Sequence, residues 1–217
     1  MTESGEVHLI RLFSVPEVRD PKKIGMDVQQ IIIEFSKYKP DIILADKGDS
    51  GDKVLKLINH FGEGRVYSCE YKSAPRSTGE FVPQVNANQH TMRVDKLTQN
   101  KIYIDALKSG YIKAYQIIDE DLKKFIMHWK NVVIRDEEDD SGEFYQKITR
   151  KGDDHYAQAS VLGYIGLKHL QLKNSNSGNE FGSTFISTLS PDAPQPQGSM
   201  DEGQDAETIL QDLYRKD

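Results

Sequence analysis

The sequence predicts an α/β fold, a mixed sheet flanked by helices. Three observations predict it. Short apolar runs of the kind found in covered strands recur along the chain, single apolar stripes at helical spacing separate them, and the two alternate in strand–helix–strand order.

The elements follow in chain order. Val7–Val15 is rich in β-branched and aromatic residues and is expected to be a strand. A charged loop, Pro16 to Gly25, leads to Asp27, a helix cap ahead of Val28, Ile31, Ile32 and Phe35 on one stripe. Pro40 forbids continuation of that helix. Asp41–Ala45, DIILA, is an apolar run suited to a strand covered on both faces, and it ends at Asp46. Val54, Leu57, Ile58 and Phe61 mark a second helix stopped by Gly62, and Arg65–Tyr71 is the next strand, parallel to the first by the crossover rule. A small, polar loop from Lys72 to Asn88 precedes a long helix expected from about Gln89 to Ser109, which Gly110 ends. A shorter helix from Asp119 to about Lys130 leads into a hairpin, NVVIRDE and EFYQKITR joined by DDSG. A last helix opens at GDDHYAQA and runs to about Leu170.

Beyond Leu172 the composition turns to Ser, Gly, Pro and Gln. Residues 1–172 are therefore expected to form the domain and 173–217 a disordered acidic tail. Its final stretch, AETILQDLYRKD, has the spacing of an amphipathic helix suited to docking on a partner. The net charge is −6, and the tail from Lys173 onward carries three basic against eight acidic residues, so the rest is near neutral. Basic flanks including Lys72, Arg76, Arg93, Lys96, Lys101 and Lys108 leave nucleic acid open as a partner. Cys69 is the single cysteine, which excludes a disulfide framework and a cysteine-based zinc site and points to a reducing compartment. Neither a signal peptide nor an apolar run long enough to span a bilayer is visible, so a cytoplasmic location is expected.

Three acidic clusters compete as sites. Asp46, followed by Asp49 and Asp52, sits where a buried strand gives way to a loop and helix, the end of an open sheet at which ligands bind. The alternative is a turn-starting aspartate with Asp49 or Ser50 capping the next helix. Nearby KGDSGDK lacks the spacing of a phosphate loop, since Lys53 is followed by Val54, and this argues against ATP hydrolysis. Asp153, Asp154 and His155 open the last helix. One carboxylate there serves as a cap, whereas an adjacent pair repels unless a cation joins it, and divalent ions favour such hard oxygen ligands. Small residues at Ala157, Ala159, Ser160, Gly163 and Gly166 let that helix lie close on the sheet. The third cluster, Asp136 to Asp140, falls in the hairpin turn and is expected to be a solvated charge run. His60, His90, His128 and His169 lack ligand spacing and are expected to sit at helical positions as surface or packing residues.

GDDHYAQASVLGYIGLKHL, placed after a hairpin, resembles the last helix of the phage terminase large-subunit nuclease. DIILADKGDSG resembles the strand and loop bearing that family's second acidic ligand, and MRVDKLTQNKIYIDALKSGYIK the helix and turn after its middle strands. FIMHWKNVVIRDEEDDSGEFYQKITRKGDDH resembles the helix and hairpin before its last aspartate, so the likeness spans roughly Val7 to Leu170. The resemblance implies a ribonuclease-H-like fold and an endonuclease of the viral DNA-packaging machine, cutting concatemeric double-stranded DNA with two Mg²⁺ or Mn²⁺ ions. It implies Asp46 and Asp154 as metal-binding catalytic residues with Asp153 beside them, and His155 and Asp49 as supporting residues. Lys72, Arg76 and Arg93 are expected to face DNA.

The partners implied are the portal protein, the small terminase subunit and the chain carrying the ATPase motor, in the host cytoplasm. The family's first aspartate lies on an opening strand with a G-x-D-x-G-like segment. MTESGEVHLIRLF resembles the strand after it, so the fold is expected to lack its first strand and to be the C-terminal piece of a large terminase. An incomplete nuclease-like module that docks on the portal or other terminase subunits is the alternative, and a junction resolvase is disfavoured by the long hairpin.

Overall fold

The computed structural model describes residues 7–9, 13–15, 26–48, 51–72, 82–113 and 119–176. Its main sheet grows from the apolar run after Pro40. Strand β2 (Ile43–Asp46) pairs in parallel with β3 (Val66–Tyr71), from Ile43 opposite Val66 to Asp46 opposite Cys69. β3 pairs in parallel with β5 (Thr91–Val94), and β4 (Gln84–Asn86) closes the other edge antiparallel to β5. The strand order is β2-β3-β5-β4. β1 (Val7–His8) pairs in parallel with β6 (Ile112–Lys113), and the hairpin of β7 (Val132–Glu138) and β8 (Phe144–Arg150) forms a third, two-stranded sheet.

Strand alternation sends successive side chains to opposite faces, and two cores result. On one face Ile43 and Val66 meet α1 (Met26–Ser36) and α2 (Gly51–Phe61) through Val28, Ile32, Val54 and Leu57. On the other, Tyr67, Cys69, Met92 and Val94 meet α3 (Lys96–Lys108), α4 (Glu120–Lys130) and α5 (His155–Asn176). The chain is thus a mixed α/β structure, a mixed sheet with helices on both faces. DIILA is covered on both faces as its composition predicts, with Leu44 packed against the larger core and Ile43 in the smaller.

The helix expected from Gln89 begins later. Ala87–Gln89 is one turn of 3-10 helix, His90 takes a left-handed φ of 50°, and Thr91–Val94 is β5. Pairing with β3 and β4 overrides the helical spelling of this stretch, and α3 starts only after Asp95, whose carboxylate accepts the Thr98 N–H at 2.8 Å. The strand expected over Val7–Val15 is seen as Val7–His8, and residues 13–15 carry no strand pairing. Asp27 lies inside the first turn of α1, where its Oδ1 accepts the Val28 N–H at 2.8 Å. α5 continues through Asn176, past the boundary expected at 172; the acidic tail from 177 lies outside the described residues. Among the described residues no helix is long and apolar enough to cross a membrane.

Candidate functional site

Asp46 is the last residue of β2, two positions beyond Leu44 on the face that α5 covers. α5 lies close there because Gly166 has no side chain: a Cβ at that position would stand 3.0 Å from Leu44 Cδ1 and 3.1 Å from Ile42 Cγ2. The small-residue stripe thus works as expected at Gly166 and at fully buried Ala157, while Gly163 faces open space. The first turn of α5 lies at the C-terminal edge of the sheet, where the Tyr71 hydroxyl at the end of β3 donates to Gln158 Oε1 at 3.1 Å.

Asp154 precedes this helix and is only 5% exposed. Asp46 and Asp154 both act on Tyr71. Burial drives that phenol's pKa well above its ordinary value, and repulsion from Cys69 once that thiol ionises, and from Asp46 and Asp154, adds to it. Cys69, opposite Asp46 in register, is pushed up to about 12 by burial, with Asp46 adding to the effect. Asp46 ends β2 and Asp154 precedes α5, whose first turn meets Tyr71, so both lie toward the C-terminal edge of the sheet.

Among the described residues, the cations paired with Asp154 are Lys96 Nζ, 4.0 Å from Oδ2, and Arg150 Nη1, 3.8 Å from Oδ1. Both exceed hydrogen-bond length, so these cations act on the largely buried Asp154 through charge alone. Lys96 is placed by a closed set of contacts. Its ammonium lies 5.0 Å from the Tyr71 ring centroid, and its carbonyl accepts from Asn100 Nδ2 at 2.8 Å. Gln158 Nε2 donates to Asn100 Oδ1 at 3.3 Å, which returns the circuit to Tyr71.

The start of α5 is anchored from α4. The Tyr156 N–H donates to His128 Nδ1 at 3.0 Å, and the Tyr156 hydroxyl donates to Asp121 Oδ1 at 2.6 Å. Asn131, after α4, donates to the Asp153 carbonyl at 2.8 Å and accepts from the Lys151 N–H at 2.9 Å. Asp153 itself points its charge to solvent, and His155 is exposed with its ring 6.3 Å from that of His128.

The other expected site residues fall elsewhere. Arg93 is exposed on the opposite face of β5 from Met92 and Val94, where its Nε donates to Glu70 at 3.0 Å; Lys47 also pairs with Glu70. Arg93 is thus not brought to Asp46 and Asp154. Lys72 follows β3 directly, its N–H bonded to the Val94 carbonyl. Asp49 and Arg76 lie outside the described residues. Of the histidines expected at the surface or in packing, His128 is buried as a hydrogen-bond acceptor, and His90 sits in a turn instead of a helix.

Among the described residues no group of three or more His, Cys, Asp or Glu side chains is gathered for a metal ion. The two aspartates offer the hard oxygen donors that Mg²⁺ or Mn²⁺ take. Beside the expected Asp46 and Asp154 the structure adds Tyr71, Asn100 and Gln158, and gives contacts to Lys96, read in the sequence only as a basic flank, and to His128, read as a surface or packing residue. The one available signal was Asp95-Lys96, a cap followed by a cation in a helix's first turn. No known protein family, curated protein or solved structure matches the chain.

Proposed function

We propose that this chain is the ribonuclease-H-like nuclease part of a viral DNA-packaging terminase, cutting concatemeric double-stranded DNA with divalent metal held by Asp46 and Asp154. The observation that carries the reading is the placement of Asp46 at the C-terminal end of β2, on the face α5 covers, with Asp154 before α5 near Lys96 and Tyr71 at the same edge of the sheet. That edge is where open α/β sheets bind ligands. Bound Mg²⁺ or Mn²⁺ would supply an activated water and charge for the leaving 3′ oxygen.

The chain's own residues provide the rigid frame. Asp46 is fixed by β2 pairing, and Asp154 by the anchorage of α5 through His128, Asn131 and Gly166. Asp153 is a neighbouring donor at the solvent side. Lys72 and Arg76 remain the proposed DNA contacts, while Arg93 on the far face would reach only DNA that wraps the edge.

The test is Mn²⁺-dependent nicking of supercoiled plasmid, by the chain alone or mixed with a chain carrying a G-x-D-x-G strand. Asp154→Ala is expected to abolish nicking while the far-ultraviolet circular dichroism stays unchanged. Nicking that survives Asp154→Ala refutes the assignment. No divalent-dependent cleavage in any reconstitution favours the docking module instead, which pull-down by portal protein would then reveal.

A further inference from the structure

Lys96 occupies a position that local physics disfavours. It is the first residue of α3, next to the cap Asp95, where the N–H groups and helix dipole already present positive charge. Local rules are broken most often where a residue serves a site. Its side chain is two-thirds buried, and its ammonium lies over the Tyr71 ring and faces Oδ2 of the buried Asp154 at 4.0 Å. The hydrogen bonds through Asn100, Gln158 and Tyr71 tie the Lys96 backbone carbonyl to the Tyr71 ring over which the ammonium lies. Arg150, the other cation near Asp154, is 69% exposed, and water screens its charge.

We propose that Lys96 is the resident counter-cation of Asp154, a positioning residue that neutralises the carboxylate before metal arrives and that a divalent ion must displace. The inference rests on the metal reading of Asp46 and Asp154 and adds what sets the affinity of that site. A buried carboxylate needs one positive neighbour, and Lys96 and the ion are alternatives for it. Binding of either weakens the other, so Lys96 lowers the apparent affinity for metal and guards the fold in its absence.

The experiment uses the full chain at pH 7.5, with Mn²⁺ titrated calorimetrically and thermal melting followed with and without Mn²⁺. Removing the competitor in Lys96→Gln is expected to tighten Mn²⁺ binding by about tenfold, toward the low end of ordinary couplings between sites. The same variant should melt lower than the unmodified chain without metal and recover more on adding Mn²⁺. Lys96→Arg, which keeps the charge, should stay near the unmodified affinity, and Arg150→Gln should change it much less than Lys96→Gln. Unchanged or weaker Mn²⁺ binding in Lys96→Gln overturns the proposal, as does an equal effect from Arg150→Gln, which would mark a simple net-charge effect. Asp154→Asn separates the two readings. If the unmodified chain binds no Mn²⁺, or if the Asp154→Asn variant binds it equally well, the metal reading fails and this inference with it. If Asp154→Asn abolishes binding while Lys96→Gln leaves it unchanged, only the role of Lys96 fails.

Discussion

Two glycines and one histidine show how single residues set the placement of α5. Gly163 and Gly166 look equivalent in the sequence, yet only Gly166 meets the sheet. Alanine at 163 gains helix propensity, about 1 kcal/mol, with nothing in its way. Alanine at 166 gains the same but forces Leu44 and Ile42 aside, and overpacking costs roughly 1–3 kcal/mol. Urea unfolding should therefore show Gly163→Ala more stable than the parent and Gly166→Ala less stable; equal stabilisation by both would mean that the helix stands off the strand. His128 gives a pH signature. Burial lowers its pKa below the usual 6.5, with the like charge of His155 adding and the carboxylates of Asp153 and Asp154 opposing. A lowered pKa in the fold means that the neutral form, which accepts the Tyr156 N–H, is the native one. Its contribution is fully present above about pH 6.5 and is lost as pH falls through the lowered value. His128→Asn retains an acceptor that does not titrate, so between pH 7.5 and 5.5 its melting temperature should fall less than that of the parent.

At the scale of elements, what was legible in sequence was what local chemistry fixes. The apolar run ending at Asp46, the stripe of α2 with Gly62 at a φ of 94°, and the two strands around DDSG all form as their spelling suggests. β5 was not legible. TMRV alternates, with Met92 and Val94 buried and Arg93 exposed, but four residues beside a helical run are too short a signal, and the strand state is fixed by pairing with β3 and β4. The D-x-x-T cap formed by Asp95 and Thr98 was present in the sequence but lay inside what read as one long helix. The site divided in the same way: Asp46 and Asp154 end or begin strong local elements, whereas Lys96, Asn100 and Gln158 acquire meaning only when α3 and α5 lie side by side. The hairpin turn adds a detail to its exposed charge run. Asp139, read as one of a solvated charge run, has its Oδ1 accepting from the Ser141 N–H, the Ser141 hydroxyl and the Glu143 N–H, while Gly142 takes a φ of 82°. Asp139→Ala should cost about 1 kcal/mol, the net worth of such bonds, and raise amide exchange along β7 and β8, whereas Asp140→Ala should leave exchange unchanged.

Over the whole molecule the sheet separates two cores of unequal size. The core beneath α1 and α2 rests on Val28, Ile32, Ile43, Val54, Leu57 and Val66, and the Asp27–Lys53 ion pair at 2.7 Å links its two helices at the surface. The opposite core joins α3, α4 and α5 through Phe125, Trp129, Val161 and Ile165 and carries Asp154 at its margin. Fewer buried apolar side chains give a layer less free energy against local opening. The α1–α2 layer should therefore open on its own at a lower free energy than global unfolding, leaving the Asp154 side folded. Leu57→Ala enlarges that difference, since removing this buried side chain costs about 2–5 kcal/mol and it lines only the smaller core. In native-state hydrogen exchange the variant should lose protection in α1 and α2 by more than in the first turns of α3 and α5. If Asp46 and Asp154 hold metal as proposed, Mn²⁺ affinity should stay at the parent value, because both lie toward the face that α5 covers. Equal loss of protection in α5 would show that the layers unfold as one unit, and a drop in Mn²⁺ affinity would show that the edge bearing Asp46 depends on the layer behind it.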